Sequence, residues 1–149
     1  MVHGKWFPQH SDIGVPLTLR RSVFGRGRDA LDELAQQVVV YAEGRPVGAA
    51  RLWWADGAFQ LGEVGVPPEE RKKGFGDLLV RMVLHKALCH HAGRLELTAP
   101  AEAAPFFARY GFAPTGESPP GGIRMALSPA DISLCSCENA CMPTPSTTR

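Results

Sequence analysis

The chain has almost no surplus of charge of either sign: 16 Lys and Arg residues face 15 Asp and Glu, a formal net charge of +1. No long-range field then draws it to nucleic acid or to an anionic membrane, and neither is expected as a partner. Long hydrophobic runs are missing as well. A bilayer span needs about 20 mostly apolar residues in a row, and no stretch of the sequence comes near that. The opening Met1-Val2-His3-Gly4-Lys5-Trp6 lacks the apolar centre of a signal peptide. A cytoplasmic protein with reduced thiols is expected. No internal repeat is visible.

What is present suits one domain with its own core, at 149 residues, 44% hydrophobic and 21% charged. The expected division is a folded domain over residues 1–127 and a cysteine-containing tail over 128–149. Lys5-Trp6-Phe7 opens an edge strand that Pro8 limits. Leu17 to Phe24 reads as a short helix after Pro16. Asp29 caps a second short helix through Gln36, with Leu31 and Leu34 facing inward. Val38 to Ala42 is β-branched and apolar, hence a buried strand. Glu43-Gly44-Arg45 turns the chain into a strand from Pro46 to Trp54, and Asp56-Gly57 turns it again. Phe59 to Val66 is the third strand of this meander.

That strand runs through Pro67-Pro68 into Arg71-Lys72-Lys73-Gly74-Phe75-Gly76-Asp77. Phe75, Leu78, Leu79, Met82 and Val83 then recur at helical spacing. Asp77 falls in the first turn of this helix and His90-His91 in the last, as the helix dipole prefers, and Gly93 supplies a stop. The order strand, glycine loop, helix suits an anion. A helix start carries unpaired N–H groups and partial positive charge, and Gly74 and Gly76 clear side chains from the backbone. The same residues also read as a plain basic turn before a surface helix. A dinucleotide-binding domain would place its glycine loop after the first strand of a βαβ unit, which this order argues against. Arg94 to Ala99 is a further strand, Pro105 sits near the first turn of a helical segment, and Ile123 to Leu127 is a last strand expected to pair with the one begun at Phe112.

Val64-Gly65-Val66-Pro67-Pro68 followed by Arg71-Lys72-Lys73-Gly74-Phe75-Gly76 resembles motif A of the GNAT acetyltransferase superfamily. That motif is a strand ending V-x-V-x-P, then R/Q-x-x-G-x-G/A. Ala103-Ala104-Pro105-Phe106-Phe107-Ala108-Arg109-Tyr110-Gly111-Phe112 resembles the second block, A-x-x-F-Y-x-x-x-G-F. The resemblance covers roughly residues 38–127, and Arg20 to Phe24 looks more loosely like a first helix that walls the acceptor site. It implies an α/β (α+β) fold, with a GNAT-like mixed, mostly antiparallel sheet flanked by helices. It implies acetyl-CoA as cosubstrate, in a cleft between the Val64 and Leu95 strands. Val64, Gly65, Val66, Arg71, Lys72, Lys73, Gly74, Phe75, Gly76, Asp77, Phe106 and Phe107 would hold it. The implied activity is N-acetyl transfer to a primary amine of a small molecule or peptide by direct attack, with a backbone N–H of the Val64 to Val66 strand as oxyanion donor.

Such chemistry needs a way to remove a proton from an amine whose pKa lies near about 10.4. Members of the family often use a carboxylate on the motif A strand, and Glu63 is the candidate base here; it also reads as a solvated residue on an exposed face. Glu96 is a second candidate. The tyrosine that often protonates the leaving sulfur is replaced by Phe107, which has no proton to give. Tyr110, about one helical turn on, is the remaining candidate acid.

Cys135, Cys137 and Cys141 lie within seven residues. Thiolates so close suit zinc or another soft metal, although a C-x-x-C pair is absent and a fourth ligand would be a histidine or Cys89. A tail with free thiols is the other reading. Two further functions stay open: an acyl-CoA-binding sensor without catalysis, which Phe107 allows, and a metal- or redox-responsive protein acting through the tail. An exposed terminal strand permits a homodimer.

Overall fold

The computed structural model describes residues 1–90 and 92–128. The expected metal ligands Cys135, Cys137 and Cys141, and His91, lie outside them. Strand β1 (Val2–Phe7) ends where Pro8 cannot donate to a ladder. Helix α1 (Gly14–Phe24) begins two residues before Pro16, whose missing N–H is harmless in a first turn, and Gly25 closes it in the left-handed conformation. Strands β2 (Gln36–Ala42), β3 (Arg45–Ala55) and β4 (Ala58–Gly65) form the meander. Its two turns place Glu43 and Gly44, then Asp56 and Gly57, at positive φ, as two-residue hairpins demand. Helix α2 (Phe75–Cys89) crosses the sheet; β5 (Leu95–Ala99), α3 (Ala104–Ala108), β6 (Ala113–Pro114) and β7 (Ile123–Leu127) follow.

The described residues form one seven-stranded sheet in the order β1-β2-β3-β4-β5-β7-β6. Only β4 and β5 run parallel; every other neighbouring pair is antiparallel. This is the expected mixed, mostly antiparallel α/β architecture. β7 pairs with β6 as expected and also inserts itself beside β5. The side chains of β2 show how the sheet is covered. Val38, Val40 and Ala42 enter the main core with Leu79, Val83 and Leu84 of α2, whereas Val39 joins a smaller core with Leu19 of α1. A strand buried on both faces has no reason to alternate, hence the continuous valine run. Phe107, Tyr110 and Phe112 place α3 on the same side as α2.

Two expected boundaries are corrected. A single 3₁₀ turn, Ala30–Glu33, replaces the helix drawn through Gln36, and Gln36 already belongs to β2. Asp29 does cap it, accepting the Leu31 N–H while donating its own N–H to Asp32. Asp32 turns inward and Leu34 is left 54% exposed. The cause is electrostatic: beneath α1 the Asp32 carboxylate meets Arg20 at 2.8 Å and Arg51 at 3.2 Å. Burial favours its neutral form, but the Arg20 hydrogen bonds, the Asp29 N–H and the charge of Arg51 outweigh burial and hold its pKa well below the usual carboxylate range. Helix α2 stops at Cys89, ahead of Gly93, because the N–H groups of His90 and Ala92 already satisfy its last carbonyls.

Candidate active site

β4 changes partners half-way along. Phe59, Gln60 and Leu61 pair with Leu95, Glu96 and Leu97 of β5, and the ladder stops there. Opposite Ala49 to Arg51 the register of β4 shifts, and Glu63, at φ 52°, is the extra residue. The bulge turns β4 away from β5. Thr98 and Ala99 continue β5 paired to β7. The sheet therefore opens as a V, and the opening starts at Glu63.

A cavity of about 590 Å³ lies in this opening. Val64, Gly65 and Val66 supply its strand wall. Glu70, Arg71, Lys72, Gly74, Phe75, Gly76 and Asp77 bring the loop and the first turn of α2. Ala103, Phe106, Phe107 and Arg109 come from around α3, and Val23 and Phe24 from the end of α1. Of the twelve residues expected to hold the cosubstrate, all but Lys73 line this cavity. Val23 and Phe24 press on Gly65 so closely that a Cβ there would come within 3.0 Å of both. Only glycine fits.

The loop is curled by Lys72 and Gly74, at φ 65° and 88°. No side chain caps α2, so its leading N–H groups remain for a ligand or solvent, with the positive end of the dipole behind them. The basic residues divide their tasks. Arg71 donates Nε to the Val66 carbonyl at 2.8 Å and ties the loop to β4. Lys73 turns to Glu70 at 3.0 Å, where Arg45 also binds, and the two cations lower the Glu70 pKa. Among the described residues Lys72 makes no ion pair. The acidic Asp77, at the same helix start, accepts hydrogen bonds from the Tyr110 hydroxyl and from Arg81 at 2.9 Å. Burial alone would raise its pKa, but these two partners pull it below the ordinary value. Its charge is thus compensated where an anion would sit.

The candidate proton carriers are placed less simply. Tyr110 is buried, does not line the cavity and commits its proton to Asp77; burial first, and then Asp77, push its pKa far up. Phe107 stands at the cavity edge-on to Phe106 and Phe112, with no hydroxyl to offer. Glu63 lies at the bulge with a side chain 12% exposed, between Arg26 at 3.0 Å and Arg51 at 3.8 Å. Glu96 is held by Arg94, Gln60 and Arg124, which pull its pKa down to about 2. Arg109, whose guanidinium lies 5.5 Å over the Phe106 ring, joins the cavity unannounced by any motif. Its only sequence signal is its place three residues after Phe106 on a helical face. Among the described residues no group of three or more His, Cys, Asp or Glu is placed to hold a metal. Cys89 is exposed, with Sγ 3.7 Å from Nδ1 of His85.

The sequence profile of the acetyltransferase (GNAT) domain matches residues 33–114, the stretch that holds the meander, the glycine loop, α2 and α3. The chain belongs to the GNAT acetyltransferase family. It carries that family's acyltransferase domain. A curated relative, the uncharacterized N-acetyltransferase YjcF of Bacillus subtilis (strain 168), is 30% identical over 84 residues. The match covers 56% of this chain and 60% of that relative, so the chain spans less than two thirds of the relative's length. Solved GNAT-type structures share the fold at lower identity. An acyl-CoA N-acyltransferase from Pseudomonas aeruginosa superposes with a TM-score of 0.76 at 22% identity, over 86% of this chain and all of that one. A GNAT family acetyltransferase from Elizabethkingia anophelis, solved with acetyl-CoA bound, gives 0.69 at 13% identity over 85% of this chain and 97% of that one. No described helix is long and apolar enough to cross a membrane.

Proposed function

We propose that the chain moves the acetyl group of acetyl-CoA to a primary amine of a small molecule or peptide, in the cytoplasm, by direct attack. The parting of β4 from β5 beside an uncapped helix start carries this reading. The cavity fits such a cosubstrate at both ends. Its apolar wall of Val23, Phe24, Val64, Phe106 and Phe107 suits the pantetheine arm. The loop suits the pyrophosphate through the N–H groups after Gly74 and through Lys72, and Arg109 adds a second cation at the rim. Arg71 acts by holding the loop to Val66, and Lys73 by neutralising Glu70.

The cosubstrate supplies an activated thioester: the amine nitrogen bonds to the acetyl carbon, the carbon–sulfur bond breaks, and the ammonium gives up two protons, one before attack and the second from the tetrahedral adduct to solvent. Backbone N–H groups along Val64 to Val66, beyond the last rung shared with β5, are the oxyanion donors. Val23 and Phe24 bound the side from which the amine arrives. Glu63 takes its proton, directly or through water. No hydroxyl stands at Phe107, and Tyr110 would serve the sulfur only by releasing Asp77, so the sulfur departs as thiolate and solvent protonates it. The test is amine-dependent release of free CoA thiol from acetyl-CoA. A folded chain that binds acetyl-CoA yet releases no thiol with any amine would be an acyl-CoA-binding sensor instead.

A further inference from the structure

Glu63 is flanked by two arginines held in very different ways. Arg51 is fixed: its side chain is 5% exposed and is gripped by Asp29 at 2.7 Å and Asp32 at 3.2 Å. Arg26 is not. Its side chain is 61% exposed, its only carboxylate partner among the described residues is Glu63, and it stands between Gly25 and Gly27, outside any helix or strand. It also lies 4.8 Å over the ring of Phe24, which lines the cavity. An ion pair with one exposed partner is weak and readily exchanged.

The ion pairs around this point balance: Arg20, Arg26 and Arg51 face Asp29, Asp32 and Glu63, three against three, and the neighbouring Arg28 pairs with Glu33 at 3.4 Å. The guanidinium of Arg21, packed against Gly27, adds a cation with no carboxylate of its own among the described residues, so the surroundings hold no spare negative charge. An acceptor ammonium that reaches Glu63 must take the place of a guanidinium, and only Arg26 can leave. A bare ammonium would then add one uncompensated positive charge beside the displaced Arg26. An acceptor bringing its own anion restores the balance, and the displaced guanidinium, still tethered within a side chain's length, suits a carboxylate, sulfonate or phosphate.

We propose that Arg26 is a placeholder for the acceptor's ammonium on Glu63, and that the acceptor is a zwitterion, a primary amine carrying an anionic group that Arg26 then receives. This rests on the acetyltransferase reading and names its substrate class.

The test uses the full chain saturated with CoA, so that binding is measured without turnover. Matched amines differing in one anion are titrated by calorimetry: alanine and ethylamine, phenylalanine and phenethylamine, and taurine and phosphoethanolamine against ethylamine. The anion-bearing member should bind at least about tenfold more tightly, as a charge-assisted hydrogen bond allows. Arg26→Gln should erase that preference, weakening the zwitterion about tenfold while the bare amine binds as well or better. Glu63→Gln should weaken both members. With any zwitterion that turns over, Arg26→Gln should raise KM and leave kcat within about twofold. A preference for the bare amine, a preference that survives Arg26→Gln, or no binding by either member to a chain that does bind CoA would each overturn the proposal and leave the acetyltransferase reading standing. Failure to bind CoA at all would overturn both.

Discussion

Replacing Gly74 by glutamate tests the anion site with a calculable effect. Gly74 holds φ 88° at the entry to α2, and a Cβ there would meet nothing within 4 Å. Sterics therefore add little, and the left-handed backbone costs a non-glycine residue roughly 1–2 kcal/mol. That is a modest share of a domain's stability, typically about 5–15 kcal/mol. Binding should suffer more. A carboxylate roughly 6 Å from a phosphate charge, at an effective dielectric of about 20, raises the energy by roughly 3 kcal/mol per unit charge. That corresponds to at least a hundredfold loss of affinity. Gly74→Ala carries the same backbone strain without the charge and should bind acetyl-CoA within a few-fold of wild type. Calorimetry with acetyl-CoA gives the affinities, and circular dichroism with urea melts gives fold and stability. Equal affinities for wild type and Gly74→Glu would refute the placement of the phosphates at this helix start. No binding by folded wild type would refute the cosubstrate itself.

Glu63→Gln should lower kcat by at least a hundredfold while acetyl-CoA affinity stays unchanged, because the carboxylate lies outside the cosubstrate cavity; steady-state kinetics beside calorimetry checks both halves. Tyr110→Phe should reduce stability by about 1–3 kcal/mol through the bond lost to Asp77, yet keep kcat within tenfold; a larger fall in kcat would make Tyr110 the acid for sulfur. Asp32→Asn should cost about 3–5 kcal/mol, since it leaves Arg20 buried without its anion. The pH dependence has a definite sign. The folded pKa of Asp32 is depressed, so its contribution is complete above the ordinary carboxylate value of about 3.9 and fades as pH falls below it. Wild type should lose more stability than Asp32→Asn between pH 6 and pH 3 in urea melts.

The glycine loop was legible because its demands fall on the backbone, and backbone demands surface as residue types at fixed spacings. Gly74 at a left-handed helix entry and Gly65 under Phe24 are such cases. The strands were legible for a similar reason, since β2 is buried on both faces and carries the composition to match. What escaped depends on partners distant in sequence. Leu34 looked like the inward residue of its turn, and Asp32 displaced it by reaching Arg20 and Arg51, 12 and 19 residues away. Tyr110 looked able to follow the direction of Phe107, but its hydroxyl found Asp77, 33 residues away. Arg109 and Arg26 carry no motif, because an exposed arginine becomes part of a site only through what the fold sets beside it.

The short parallel ladder between β4 and β5 has a mechanical side. Among the described residues the strand ladder that joins the first part of the chain to the last is three residue pairs long, Phe59 with Leu95, Gln60 with Glu96 and Leu61 with Leu97. It is reinforced by the Gln60 side chain, which bonds Glu96 and Arg124. Beyond these pairs the two strands part along an open seam, and the core beneath α2 joins its two sides. A molecule lying along that seam touches both sides of it, so its binding energy appears as resistance to unzipping. The last three strands are then the part of the fold whose hydrogen exchange slows most when the seam is filled.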